Sequence, residues 1–223
     1  MNRQEAIRTI VDSKIIVVVR GIYGRELLRL ADALTKGGIK AFEVTYDPAD
    51  PDTLQVIKSN IEAVRRAHPE LLLGCGTVLT AEQVANAEKA GADFIVSPNF
   101  DPVVVKEAVC RGLVSIPGCM TPSEIVAADA AGADFVKLFP AGTLGLKYCK
   151  DIMAPLHYVK YIATVGITQE TFRQYLQIGF AGAGISSMLI DKACRERGDW
   201  DELTRRAEQF VAIAREFPSG CHA

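Results

Sequence analysis

Short, almost wholly aliphatic runs recur along this chain at intervals of roughly 20 to 25 residues, and this rhythm constrains the fold more than any single motif. The runs fall at 15–19, 41–45, 71–75, 94–96, 114–116, 135–138, 159–162 and 180–184. Each is too short for a helix and too apolar for a strand with one wet face, as strands of a parallel sheet covered on both sides are. Segments with helical spacing follow them at 25–34, 52–67, 81–90, 146–153, 169–177 and 200–216. Two further helices are opened by Asp101-Pro102 and Thr121-Pro122, where proline suits the first turn. A leading helix is expected over 2–12.

Eight strand-helix units in 223 residues predict a (β/α)8 TIM barrel with a short N-terminal helix, an open doubly wound sheet being the alternative. The repeated Ala-Gly-Ala-Asp-Phe at 90–94 and 131–135 marks one building block used twice, with small residues where helix and strand meet. No linker divides the chain, so residues 1–217 are expected to form one domain and 218–223 a loose tail.

With a net charge of -2, nothing favours nucleic acid or an anionic membrane as a partner. No stretch reaches the roughly 18 apolar residues of a membrane span, and the first ten residues carry charges unlike those of a signal peptide. Six cysteines lie scattered without Cys-x-x-Cys spacing, which fits reduced thiols and a cytoplasmic location.

One residue breaks the apolar rule of the strands. Lys137 stands late in the run Phe135-Val136-Lys137-Leu138, just before Phe139-Pro140-Ala141, whereas Lys14, Lys40 and Lys160 precede or open theirs. A lysine at a strand end can simply reach water. In a parallel barrel, however, the carboxyl ends of the strands form the reactive face, and a lysine held among apolar groups can attack a ketone as a free amine.

Other late residues would meet it there. Arg20 ends the first strand, Glu43 and Thr45 share a face of the second, Thr77 follows the third, Ser97-Pro98 the fourth, and Phe139 and Thr164 end later ones. A cation for a carboxylate, an amine nucleophile, a carboxylate base and an apolar wall make a keto-acid site. Taken alone, Glu43 could be a solvated acid or Arg20's partner in a structural ion pair. Gly166 and Ile167 before one helix, and Gly184, Ser186 and Ser187 after the last strand, stand where barrels offer backbone N–H groups to a phosphate.

Five segments in the same order resemble the 2-keto-3-deoxy-6-phosphogluconate (KDPG) and 4-hydroxy-2-oxoglutarate (KHG) aldolase family. They are Phe42-Glu43-Val44-Thr45, Gly74-Cys75-Gly76-Thr77-Val78, Ile95-Val96-Ser97-Pro98, Ile116-Pro117-Gly118 and Val136-Lys137-Leu138-Phe139-Pro140-Ala141. The resemblance implies a homotrimer of barrels, a class I mechanism without cofactor or metal, a covalent lysine imine and pyruvate as product. It matches Lys137 to the imine-forming lysine and Glu43 to the general acid/base. Arg20, Thr77, Pro98, Phe139 and Thr164 match the pocket around the keto-acid.

The chain departs from the family pattern at three places. Tyr46-Asp47 replaces Leu-Arg after Glu-Val-Thr, Val165 replaces a glycine in the phosphate turn, and Ser186 stands where a glycine is common. Substrates of the resemblance are therefore KDPG, KHG, a phosphogalactonate relative or an unphosphorylated sugar acid. Rival readings are a metal-dependent aldolase, a phosphate-binding isomerase or decarboxylase, and a catalytically silent sugar-acid binding barrel. The first is disfavoured because His68, His157 and His222 lack ligand spacing.

Overall fold

The computed structural model describes residues 1–218; most of the expected tail, with Cys221 and His222, lies outside the described residues. The strands are β1 (Ile15–Val19), β2 (Ala41–Thr45), β3 (Leu72–Gly76), β4 (Phe94–Val96), β5 (Val114–Ile116), β6 (Gly118–Cys119), β7 (Val136–Leu138), β8 (Tyr161–Thr164) and β9 (Gly182–Ile185). The helices are α1 (Arg3–Ser13), α2 (Gly24–Lys36), α3 (Thr53–Ala67), α4 (Ala81–Ala90), α5 (Pro102–Cys110), α6 (Pro122–Ala130), α7 (Ala141–Met153), α8 (Gln169–Gln177), α9 (Lys192–Arg197) and α10 (Trp200–Arg215).

All strand pairs are parallel, in the order β5-β4-β3-β2-β1-β9-β8-β7-β6. The two outermost strands are neighbours in sequence, separated by Pro117 alone. β5 pairs with β4, while β6 pairs with β7, and the Lys137 N–H donates to the Pro117 carbonyl at 2.9 Å. One extended segment thus swaps partners at a proline, which has no N–H to give a ladder, and so joins the two sides of the sheet. The result is a (β/α)8 barrel, with the fifth strand counted twice because of this break.

Alternation along each strand sorts side chains into two cores. Ile16, Ala41, Leu72, Phe94, Phe135 and Ile162 fill the barrel, and Ala6 and Ile10 of α1 pack against them from below. Val17, Phe42, Val44, Leu73, Ile95 and Leu138 face outward to the helices. The expected leading helix therefore acts as a plug on the amino-terminal end of the barrel.

The Ala-Gly-Ala-Asp-Phe repeat works identically in both copies. Gly91 (φ 91°) and Gly132 (φ 96°) reverse the chain after α4 and α6 in a left-handed conformation that costs residues with a side chain. Asp93 Oδ2 then accepts the Leu73 N–H at 2.9 Å and pairs with Arg65. Asp134 Oδ2 accepts the Ser115 N–H at 2.9 Å and pairs with Arg3. Each carboxylate satisfies a backbone donor near the start of an earlier strand, β3 for Asp93 and β5 for Asp134.

Helix starts follow the expected chemistry. Asp101 and Thr121 cap α5 and α6 with proline in the first turn, and Asn2, Thr80, Thr121 and Thr168 form reciprocal capping boxes. Three expectations need correction. α7 starts at Ala141 rather than 146, because two helical pieces meet at a kink at Gly145 (φ 80°). β8 and β9 begin two residues later than the apolar runs 159–162 and 180–184 predict, since Val159, Phe180 and Ala181 pack at the strand entry instead of in the ladder. The short α9, polar along most of its six residues, has no apolar period to announce it. No helix among the described residues is long and apolar enough to cross a membrane.

Candidate active site

The carboxyl ends of the strands surround a cavity of about 340 Å³ lined by Val18, Arg20, Lys137, Phe139, Thr164, Val165, Gly166, Ile167, Gly184, Ser186 and Ser187. Nine of the twelve residues singled out from the sequence line it. A larger cavity of about 550 Å³ lies near the start of β8, at the opposite end of the barrel, bordered by Met153, His157, Tyr158 and Lys160. It contains none of the candidate residues.

Lys137 projects inward from β7, half-buried, with its Nζ 4.8 Å from the centre of the Phe139 ring. Its register partners are Gly118 on one side and Ile162 on the other. Neither offers a carboxylate to hold an ammonium ion. Burial pushes the Lys137 amine below the ordinary lysine range; Glu43 opposes this and Arg20 adds to it.

Glu43 projects inward from β2 and is 3% exposed. Room for it comes from Gly76 on β3, since a Cβ there would stand 1.8 Å from Glu43 Oε1 and 2.6 Å from its carboxyl carbon. The carboxyl therefore lies over a bare stretch of the neighbouring strand. Burial pushes Glu43 above the ordinary carboxylate range, while the positive charges of Lys137 and Arg20 pull it partly back. Both shifts favour a neutral amine beside a neutral acid.

Arg20 takes no part in an ion pair with Glu43 among the described residues. Its guanidinium donates to Thr77 Oγ1 at 3.1 Å and is otherwise exposed at the mouth, available to an anion. Thr77 is held at φ 57°, a strained conformation for a β-branched residue, and this brings its hydroxyl to Arg20. Thr77, Glu43 and Pro98 are not among the residues that line this cavity. Pro98 presses its carbonyl against Gly118, where a Cβ would meet the oxygen at 2.3 Å. Thr164, 7% exposed, packs its methyl toward Gly184.

The departures from the family pattern have distinct structural outcomes, and the third of them, Ser186, lines the cavity. Tyr46 points outward, fully buried, with its hydroxyl donating to Asn86 Oδ1 at 2.9 Å. Asp47 turns back on its own loop, accepting the Ala49 N–H at 3.0 Å through Oδ1. Val165 adopts φ 73° and is 46% exposed at the edge of the cavity, next to Gly166. Val18 is the cavity residue that the sequence reading passed over; its alternation with Ile16 and Arg20 on β1 is the signal that locates it.

The chain's known relatives agree with this geometry. Residues 7–206 match the family described as Aldolase: KDPG and KHG aldolase. The 2-dehydro-3-deoxy-phosphogluconate aldolase of Haemophilus influenzae is 32% identical over 94% of this chain and 97% of its own. A probable 2-dehydro-3-deoxy-6-phosphogalactonate aldolase of Rhizobium meliloti is 37% identical over 78% of this chain and 81% of its own. The crystal structure of KDPG aldolase from Legionella pneumophila, with pyruvate captured as a covalent carbinolamine, superposes with a TM-score of 0.80 at 27% identity, covering 91% of this chain and 96% of that one. With a family match across nearly the whole barrel and relatives of its own length, this chain belongs to the KDPG and KHG aldolase family and is a carbon–carbon lyase.

Proposed function

We propose that the chain is a class I aldolase that cleaves a 4-hydroxy-2-keto acid to pyruvate and an aldehyde through an imine on Lys137. The observation that carries this reading is the pairing of a desolvated lysine and a buried glutamate, each shifted toward its neutral form, at one barrel mouth. The covalent carbinolamine in the Legionella relative supports the same chemistry.

In this reading Arg20 holds the substrate carboxylate, and neutral Lys137 attacks C2. Protonated Glu43 gives its proton to the departing C2 oxygen, which leaves as water and creates an iminium. The resulting Glu43 carboxylate takes the C4 hydroxyl proton as the C3–C4 bond breaks and its electrons flow into the iminium. Glu43 then returns a proton to C3 of the enamine, and water releases pyruvate from Lys137. Phe139 and Pro98 limit water around the imine, while Thr77 and Thr164 border the keto-acid. The electron sink is the lysine imine itself, so the chemistry calls for no cofactor.

KDPG and KHG are the substrates put forward first, with the tail of the substrate toward Gly166, Ile167, Gly184, Ser186 and Ser187. Val165 favours a second reading, in which the tail carries no phosphate: a branched side chain at φ 73° stands beside the backbone groups a phosphate would use, and among the described residues Arg20 is the only guanidinium lining the cavity. Pyruvate release from phosphorylated and unphosphorylated 4-hydroxy-2-keto acids, followed with a coupled assay, tests both. Cleavage of any of them supports the aldolase reading, and release only from unphosphorylated acids selects the second form. Failure across the set contradicts both.

The exposed apolar side chains Leu79, Val103, Met120 and Val126 lie on consecutive units from β3 to α6, which supports self-association as a homotrimer. A reducing cytoplasm suits Cys75, Cys110, Cys119, Cys149 and Cys194, all free thiols.

A further inference from the structure

Thr45 sits two residues beyond Glu43 on the inward face of β2, 1% exposed, and its hydroxyl has no hydrogen-bond partner among the described residues. The other two such hydroxyls belong to Ser13 and Thr35 in helices α1 and α2, away from the strand ends. A buried hydroxyl without a partner is destabilising, and a valine of the same shape would remove the penalty. The position of Thr45 relative to Glu43 gives that cost a use.

Thr45 is the register partner of Gly76, and Glu43 Oε1 lies over Gly76, 1.8 Å from where its Cβ would be. Thr45 and Glu43 thus share the inward face of β2, and the Glu43 carboxyl reaches across to Gly76, the residue opposite Thr45 on β3. No hydrogen bond joins the two groups in the resting site, and a change of side-chain rotamer is the movement that joining them requires. Catalytic hydrogen bonds are commonly long before substrate binds. The charged groups facing Glu43 are Lys137 from β7 and Arg20 beyond β1, while Cys75 of β3 lies on the outward face of the sheet, opposite Val44. None of them has a hydrogen bond to its carboxyl.

We propose that Thr45 is a positioning residue, whose hydroxyl donates to the Glu43 carboxylate while that group is ionised during the reaction and is released when Glu43 regains its proton. This rests on the aldolase reading above, in which Glu43 is charged between dehydration of the carbinolamine and C3–C4 cleavage, and again after it protonates C3. No bond other than this hydrogen bond forms or breaks at Thr45. Over one cycle Glu43 gives a proton to the departing C2 oxygen and one to C3, and recovers one from the C4 hydroxyl and one from the water that releases pyruvate.

The test uses the full chain, pyruvate in deuterium oxide, and the variants Thr45→Val and Thr45→Ser. Exchange at the pyruvate methyl group requires the imine and then Glu43; borohydride trapping requires the imine only. Thr45→Val is expected to trap pyruvate like the parent protein but to exchange slower by about tenfold or more, the kinetic equivalent of a lost hydrogen bond to a charged group. Its acid-side pH–rate limb should move to higher pH, since the carboxylate has lost a donor. Thr45→Ser should restore both, and the valine variant should melt no lower than the parent. An unchanged exchange rate and pH profile in Thr45→Val overturns the proposal, as does a serine variant as slow as the valine. No pyruvate trapping in the parent protein is instead a failure of the aldolase reading itself.

Discussion

At the scale of single residues, the site depends on burying a carboxyl and an amine that water would otherwise keep charged. Burial is the larger influence on both Glu43 and Lys137, and the charges around them modify it. This makes a stability prediction with a definite sign. A carboxyl whose folded pKa lies above its unfolded value binds more protons when folded, so stability falls as pH rises from the ordinary carboxylate value through the raised one. Glu43→Gln removes that loss. The melting temperature of the variant relative to the parent is expected to increase with pH across this window, while aldol cleavage drops by about 10²- to 10⁴-fold, the usual contribution of a general acid/base. Thermal melts at a series of pH values check it; a constant difference would mean that Glu43 titrates as an exposed acid does. Lys137, Glu43 and Arg20 were legible in the sequence because charges late in apolar strands are rare. Gly76 was not, since the space a missing Cβ leaves becomes visible only when the strand beside it is known. The unpartnered hydroxyl of Thr45 was hidden for the same reason.

At the scale of elements, the apolar runs located the strands and the Asp-Pro and Thr-Pro pairs located two helix starts, because both signals are local. What sequence could not reveal was the exchange of partners at Pro117, which depends on which strands lie on either side. Nor could it show that the Asp of each Ala-Gly-Ala-Asp-Phe repeat serves a backbone N–H of an earlier strand, β3 or β5. The leading helix was expected, but its role as a plug follows only from the contacts of Ala6 and Ile10 with the barrel interior. Ile10 is fully buried, so Ile10→Ala should destabilise the fold by about 2–5 kcal/mol, a loss of transfer energy plus a cavity. Chemical denaturation measures this. Because the plug lies at the far end from Lys137, kcat of the folded fraction should stay near the parent value; a large fall would show that the floor of the barrel also shapes the site.

Across the whole molecule, the barrel lets distant parts of the chain share one small space. Arg20, Glu43, Lys137 and Thr164 come from four strands or their ends, and each was placed by the same two facts: an inward parity and a position from the middle of its strand onward. The family match over residues 7–206 and the geometry of the mouth agree on a lyase, while Val165 makes the tail of the substrate the variable part. The central claim is that Lys137 forms an imine with a keto acid. Borohydride reduction in the presence of pyruvate, followed by peptide mass mapping, tests it most directly: the account predicts a single reduced pyruvyl adduct on Lys137, absent in Lys137→Ala and formed more slowly, on the same lysine, in Glu43→Gln. An adduct on another lysine, or persistence of the same adduct yield in Lys137→Ala, would contradict it.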